Sequence, residues 1–261
     1  MTENKHIITR IRGKLASIFA RVYNMHTHKA EQYYFRQYFA AIEPYLNEGM
    51  KVCDIGCQYG RFTIPMAEKG MLVTATDIRA KFFKYIAAHT ASAGNIAFRN
   101  ESITRTIELL KGEGFDAVLC LELIYNLRDP ESLLKGMKTI TAENGLVIVS
   151  HRSKGYYLYR FLRKKKFTEA QAIMNNLHEG YNAQDTEELK QMYRQAGLKI
   201  VSLHGIGLFS GYGDDPFACT CNPSSMTIQQ MEVLNVLEQD EKLQSLFINN
   251  SRYILVIARC I

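Results

Sequence analysis

The chain has 261 residues, 47% of them hydrophobic and 22% charged, with 32 Lys and Arg against 26 Asp and Glu and a net charge of +6. That length suits one well-packed α/β domain with a lid or insertion, and the composition excludes low-complexity and repeat classes. No apolar stretch approaches the roughly 18 residues of a membrane span, and the N-terminus lacks a signal-peptide pattern, so the cytoplasm is the expected compartment.

Residues 7–22 set Ile7, Ile11, Leu15, Ile18 and Val22 at helical spacing with basic residues opposite. The pattern predicts an amphipathic helix. A second helix is expected over about 29–46, carrying Tyr33, Tyr34, Phe35, Tyr38 and Phe39. After it the period changes. "KVCDI" reads as a strand, "RFTIPMAEKG" as a helix and "MLVTATD" as a strand. The alternation continues with a helix at 80–92, strand "NIAFRN", a helix at 103–112, strand "FDAVLCLE", a helix at 130–142 and strand "GLVIVSH". Apolar strands separated by helices predict a doubly wound, mostly parallel sheet of seven strands, covered on both faces. Residues 152–183 form an aromatic and basic stretch. In "DTEELKQMYRQAG", Asp185 and Glu188 suit a capping box and Gly197 a helix terminus. "LKIVSLHGIGLF" and "RYILVIARC" form a final pair with an antiparallel last strand, separated by a loop and one helix over about 227–247. The expected organisation is an N-terminal helical cap (1–48) on a core (49–261), with a lid insertion over 152–183 and a loop–helix insertion over 210–250.

The six cysteines suggest neither disulfides nor zinc. Cys53, Cys120 and Cys260 lie in apolar strands, Cys57 in a glycine turn, and Cys219 and Cys221 form a lone C-x-C. No Asp/Glu/His metal cluster stands out, so no metal is expected.

In an open parallel sheet, ligands bind beyond the carboxyl ends of strands where the winding reverses. The first strand ends at Asp54 and runs into "GCQYG", where Gly56 and Gly60 allow unusual φ values and close backbone approach. The spacing is neither the dinucleotide G-x-G-x-x-G nor a P-loop. Asp77 ends the second strand and reads equally as a helix N-cap, and Glu101 equally as a solvated loop acid.

"DIGCQYG" resembles the first motif of class I S-adenosylmethionine-dependent methyltransferases, with Gln58 where the middle glycine is usual. "LVTATDI", "FRNES", "FDAVLCLELIYNLRDPESLL" and "AENGLVIVSH" extend the resemblance, which is strongest to the small-molecule branch that includes ubiquinone-biosynthesis O-methyltransferases. The resemblance implies a Rossmann-like methyltransferase fold and S-adenosylmethionine as methyl donor, with S-adenosylhomocysteine as product. It implies that Asp54, Gly56, Cys57, Gln58 and Gly60 receive the methionine part. Asp77 and Ile78 would take the ribose, Glu101 or Ser102 the adenine edge, and Leu121 the thioether region. The N-terminal helices, with Tyr33, would close over the cofactor.

Methyl transfer to an alcohol or phenol gains from a base as well as from positioning. Glu122, Tyr125, Asn126 and His151 sit where the fourth and fifth strands end, and His151 is the preferred base because its ordinary pKa lies near neutral. A structural histidine capping the strand is the competing reading. Tyr125-Asn126 stands where relatives often have Glu-His. In the lid, Tyr156 and Tyr157 suit an aromatic wall, and Arg152, Arg160 or Arg163 suit a carboxylate or phosphate; an amphipathic helix packed on the sheet explains the same residues.

The leading expectation is methylation of a small molecule, anionic or aromatic, with oxygen favoured. A nucleic-acid methyltransferase would use the basic segments, but no binding module is appended and no nucleic acid is expected. A scaffold that keeps the fold without catalysis is the third reading. The basic N-terminal helix also suits peripheral membrane contact.

Overall fold

A computed structural model of the protein describes residues 28–178, 180 and 182–261; the helix expected over 7–22 lies outside them. Helix α1 (Lys29–Ile42) leads into strand β1 (Lys51–Ile55), followed by α2 (Thr63–Glu68), β2 (Leu72–Thr76), α3 (Lys81–Ala88), β3 (Ile96–Arg99), α4 (Ile103–Leu110), β4 (Phe115–Cys120), α5 (Pro130–Ile140) and β5 (Thr141–Ser153). Then come α6 (Lys154–Arg163), α7 (Phe167–Met174), β6 (Ala183–Gln184), α8 (Thr186–Gln195), β7 (Leu198–Ile206), α9 (Ile228–Gln239), α10 (Glu241–Phe247) and β8 (Tyr253–Cys260).

The main path of the sheet runs β3-β2-β1-β4-β5-β8-β7. The first five of its strands in chain order are parallel, and β8 is antiparallel to both β5 and β7. The seven expected strands make this path. An eighth, the two-residue β6, adds to the end of β5 through Arg152 and Ser153. Because the chain winds outward from β1 to β3 and then returns to place β4 on the other side of β1, the carboxyl ends of β1 and β4 diverge and open a crevice.

Strand alternation sorts the core into two layers. Val52, Leu119, Ile148, Leu255 and Ile257 face α1 and α2, meeting Tyr34, Tyr38, Ile42 and Met66. Cys53, Val118, Val147, Val149 and Val256 face α5 and α8, meeting Leu134, Met137, Leu189 and Tyr193. Helix α8 begins with the expected capping box of Asp185 and Glu188, and Gly197 follows it at φ +70°. The single helix expected over 227–247 is broken in two, because Asp240 terminates α9 and its carboxylate accepts the Leu243 N–H at the start of α10. The segment after β5 folds as two helices whose Tyr156, Tyr157 and Phe161 pack inward with Ile173 and Phe217. No described helix is long and apolar enough to cross a membrane.

Candidate active site

The β1 turn is built from backbone geometry. Gly56 has φ +78°, Gln58 +44° and Gly60 +77°, the left-handed region that glycine enters without steric cost. The amides of Gly56 and Cys57 both donate to the Thr76 carbonyl, at 2.8 and 3.0 Å, which ties the turn to the end of β2. Gly60 has a packing duty as well, since a Cβ there would lie 2.8 Å from Ile86 Cγ1.

Asp77, at the tip of β2, accepts the Gln58 N–H at 3.2 Å on Oδ2 and the Arg79 N–H at 2.9 Å on Oδ1. Each carboxylate oxygen has a second lone pair to offer. Burial raises the Asp77 pKa above its ordinary value, opposed by those two amides. Beside it lies a cavity of about 240 Å³ lined by Ile78, Phe82, Ile103 and Leu123, with Glu101 on its rim. An apolar slot with two acids at its edge fits a purine and a ribose diol in its chemistry.

Across the same turn, sharing Gly56 and Gln58, lies a cavity of about 390 Å³. Asp54, Cys57, Leu121, Glu122, Tyr125 and Asn126 line it, together with Arg61, Arg152, Tyr212 and Tyr253. Asp54 is buried and accepts the Thr63 hydroxyl at 2.5 Å. Burial pushes its carboxyl up to about 6, against the pull of Thr63 and Arg61. Arg61 bridges two acids, Glu31 at 2.7 Å and Glu122 at 2.5 Å. Glu122 also accepts the Tyr253 hydroxyl at 3.1 Å, and its backbone sits at φ +54°. Burial acts to raise the Glu122 pKa, but Arg61, Arg252 and Arg152 outweigh it and hold the group below the ordinary carboxylate range. Asp54, Glu31 and Glu122 thus give one wall a concentration of acid suited to a cationic ligand.

Of the sequence-predicted residues, Asp54, Gly56, Cys57, Gln58, Leu121, Tyr125, Asn126 and Arg152 line the larger cavity, and Asp77, Ile78 and Glu101 the smaller. Others lie elsewhere. His151 is buried on the opposite layer, 2.9 Å from the Tyr193 hydroxyl, with its pKa pushed by burial down to about 3. Alternation along β5 turns Ser150 and Arg152 towards the site and His151 away from it. The expected base is therefore corrected to a core histidine. Tyr33 donates to Glu238 on α9 at 2.8 Å and does not line either cavity; α1 instead contributes Glu31. Ser102 is spent as the N-cap of α4, accepting the Arg105 N–H. Tyr157 is buried against Phe161 rather than facing the site. Tyr156 stacks behind Arg152, and Arg160 donates to the Tyr156 hydroxyl at 3.3 Å. Sequence reasoning missed Glu31, Arg61, Tyr212, Arg252 and Tyr253, which come from α1, the β1 turn, the β7–α9 loop and the start of β8. No local motif joins them. Among the described residues no group of three or more His, Cys, Asp or Glu is arranged to hold a metal.

Comparison with known proteins agrees with this geometry. The methyltransferase domain family profile matches residues 26–203, more than half of the chain. A ubiquinone biosynthesis O-methyltransferase of Chromobacterium violaceum is 30% identical over 164 residues, covering 61% of this chain and 68% of the relative. One from Caulobacter sp. (strain K31) is 38% identical over 107 residues, 40% of this chain but only 41% of the relative. Among solved structures, the putative methyltransferase bound to the Trm112 activator of Haloferax volcanii superposes with a TM-score of 0.58 at 14% identity, covering 92% of this chain and 94% of that one. The 1,6-didemethyltoxoflavin-N1-methyltransferase of Burkholderia thailandensis, with S-adenosylhomocysteine bound, gives 0.56 at 15% identity, covering 98% and 89%. These two likenesses concern the fold. With the profile match and the acid-rimmed turn at the switch point, the chain belongs to the S-adenosylmethionine-dependent methyltransferases.

Proposed function

We propose that this enzyme methylates a hydroxyl oxygen of a small molecule held in the larger cavity. The observation that carries this reading is the pair of cavities joined at Gly56 and Gln58, one apolar with Asp77 and Glu101, the other lined by tyrosines, acids and guanidiniums. The naming of the Chromobacterium and Caulobacter relatives as O-methyltransferases favours oxygen as the methylated atom.

The bound cofactor supplies an electrophilic sulfonium methyl; the rest of the work falls to this chain. Asp77 and Glu101 hold the nucleoside, and Asp54, lining the larger cavity beside the Gly56–Gly60 turn, draws the cationic methionine end. Leu121 and the Tyr125, Tyr212 and Tyr253 rings exclude water around the acceptor. Positioning of this kind supplies much of the rate of a displacement. The Tyr125 and Tyr253 hydroxyls are 3.3 Å apart. Tyr253 already donates its proton to Glu122. The acceptor O–H donates to the Tyr253 oxygen, which Glu122 orients by accepting the Tyr253 proton, and the acceptor's own proton leaves to solvent as the methyl is transferred.

Two measurements test the reading. S-adenosylhomocysteine is titrated into the enzyme by calorimetry, and methyl-labelled S-adenosylmethionine is incubated with enzyme and a deproteinised metabolite extract. Label in an O-methyl ether is expected. Label only in added RNA or in an N-methyl product overturns the acceptor assignment, and failure to bind S-adenosylhomocysteine at millimolar concentration overturns the methyltransferase site.

A further inference from the structure

Strands β7 and β8 are antiparallel neighbours that a short turn could join, yet residues 207–252 run between them and include α9 and α10. Helix α9 is apolar on two sides. Leu234 and, partly, Met231 turn inward, and the buried Glu238 takes hydrogen bonds from Tyr33 and Gln37 of α1. On the opposite side Val233, Val236 and Leu237 are 63%, 70% and 46% exposed. At about 100° per residue these three positions span an arc of roughly 100° and make one strip. A helix that is apolar all round is one that is covered on both sides. Glu232 flanks the strip, and Asp240 and Glu241 follow at its end; all three are exposed, and among the described residues none has an ion-pair partner.

The chain carries a complement to this face. Residues 7–22 lie outside the described residues, but by sequence Ile7, Ile11, Leu15, Ile18 and Val22 fall on one helical stripe, with Arg10, Lys14 and Arg21 along one flank of it. Over residues 1–27 five lysines and arginines stand against a single acid, Glu3. The first turns of α1 lie beside α9, where Lys29, Gln32 and Arg36 share a small cleft with Met231, Glu232 and Asn235. Residues 23–28 reach about 20 Å at full extension, roughly twice the spacing of packed helices, so the tether is long enough. Charge separates this occupant from two others. A second copy packed strip to strip would bring Glu232, Asp240 and Glu241 against their own equivalents, and an anionic lipid surface would meet the same repulsion.

We propose that residues 7–22 form a helix that docks its apolar stripe on the outer face of α9, over Val233, Val236 and Leu237, with its basic flank beside Glu232, Asp240 and Glu241. Residues 23–28 then reverse the chain into a helical hairpin with α1. The contact is intramolecular, so a short tether supplies a high effective concentration and a modest apolar strip is enough. The docked segment ties α9 to the helix that brings Glu31 to the larger cavity.

The test is hydrogen–deuterium exchange of the full-length chain, comparing wild type with the double variants Val233→Asp/Val236→Asp and Ile11→Asp/Leu15→Asp. Amides of 8–22 are expected to exchange at least about tenfold more slowly than in an unstructured peptide, and the α9 substitutions should remove that protection while β1–β5 amides keep theirs. The Ile11/Leu15 substitutions should in return speed exchange in α9. Fast exchange of 8–22 in wild type overturns the proposal. So does slow exchange that the α9 substitutions leave intact, which would place the segment elsewhere. Carbodiimide coupling of wild type, which joins amines to carboxylates in contact, needs no variant and decides the matter if the α9 variant fails to fold. It should link Lys14 to Glu232, Asp240 or Glu241 within a monomer-sized species, and absence of any such link overturns the proposal. Links found only in a dimer-sized species replace it with a second copy. Protection of 8–22 that arises only with phosphatidylglycerol vesicles assigns the segment to a lipid surface and likewise overturns it.

Discussion

Asp54 offers a quantitative check on the site's electrostatics. It is 3% exposed, and burial, opposed by the Thr63 hydroxyl and by Arg61, moves its pKa from 3.8 to about 6. An acid whose folded pKa lies above its unfolded one keeps its proton in the native state after the unfolded chain has lost it. Stability therefore falls as pH rises from about 4 to about 6 and is level beyond; the rise in pKa corresponds to about 3 kcal/mol. Asp54→Asn cannot ionise, and its amide oxygen still accepts the Thr63 hydroxyl. The difference between variant and wild type isolates this one group, which matters because His151 acts in the opposite sense. Its folded pKa of about 3 lies below the ordinary 6.5, so it removes stability as pH falls through that range. Urea denaturation of both proteins at pH 4, 5, 6 and 7 is the assay. The stability of Asp54→Asn relative to wild type should improve by about 2 kcal/mol across the series, most of it between pH 4 and 6. Parallel stability curves would refute the reasoning, because they would mean that Asp54 ionises at an ordinary pH despite its burial.

Three further outcomes follow from the same geometry. Asp77→Asn keeps an acceptor for one of the two amides it holds but removes the charge offered to the ribose. Calorimetry should show S-adenosylhomocysteine affinity falling at least about tenfold with the thermal midpoint little changed, and unchanged affinity removes the ribose assignment. Arg61→Met leaves Glu31 and Glu122 buried without their shared cation and should cost about 3 kcal/mol at pH 7. Because Arg61 helps hold Glu122 below its ordinary pKa, that loss should shrink as acid protonates Glu122, and adding Glu122→Gln should recover part of it. His151→Phe strips Tyr193 of its partner and should cost about 1–3 kcal/mol in denaturation, while the pH–activity profile of the folded enzyme keeps its shape. A displaced acidic limb in that profile would return His151 to the chemistry.

Much of the architecture was legible because alternating apolar runs and amphipathic helices report local geometry directly. Asp54 and Asp77 could be located because each ends a strand, and strand ends in a doubly wound sheet line the crevice. His151 was misread for an instructive reason. Its position near the end of β5 was correct, but side chains alternate along a strand, and its neighbours Ser150 and Arg152 take the site face. Glu122 confirms the parity, its amide donating to the Ser150 hydroxyl at 2.6 Å. In α1 the aromatic run gives no preferred face, so Tyr33 and Glu31 could not be told apart by sequence alone. Tyr212 joins the site from the loop after β7 and Arg252 from just before β8, and their partners Glu31 and Asp215 lie 181 and 37 residues away. Such constellations leave no local trace.

Gln58 is where the turn departs from the family's glycine pattern, and its geometry says what the departure means. The position needs a left-handed backbone, which Gln58 adopts at φ +44° with its N–H given to Asp77. A residue with a Cβ pays roughly 1–2 kcal/mol for that conformation. Glycine would relieve this strain but lose about 0.5–1 kcal/mol to the freedom of its unfolded chain. Gln58→Gly should thus change stability by less than about 1 kcal/mol, leaving ligand affinity to report on the side chain alone. Gln58 borders both cavities, so it stands where nucleoside and methionine ends would meet. Loss of S-adenosylhomocysteine affinity by several-fold is expected in Gln58→Gly, because the retained strain then has a return in binding. Equal or tighter binding would instead make Gln58 a tolerated obstruction, with the turn's backbone doing the work by itself.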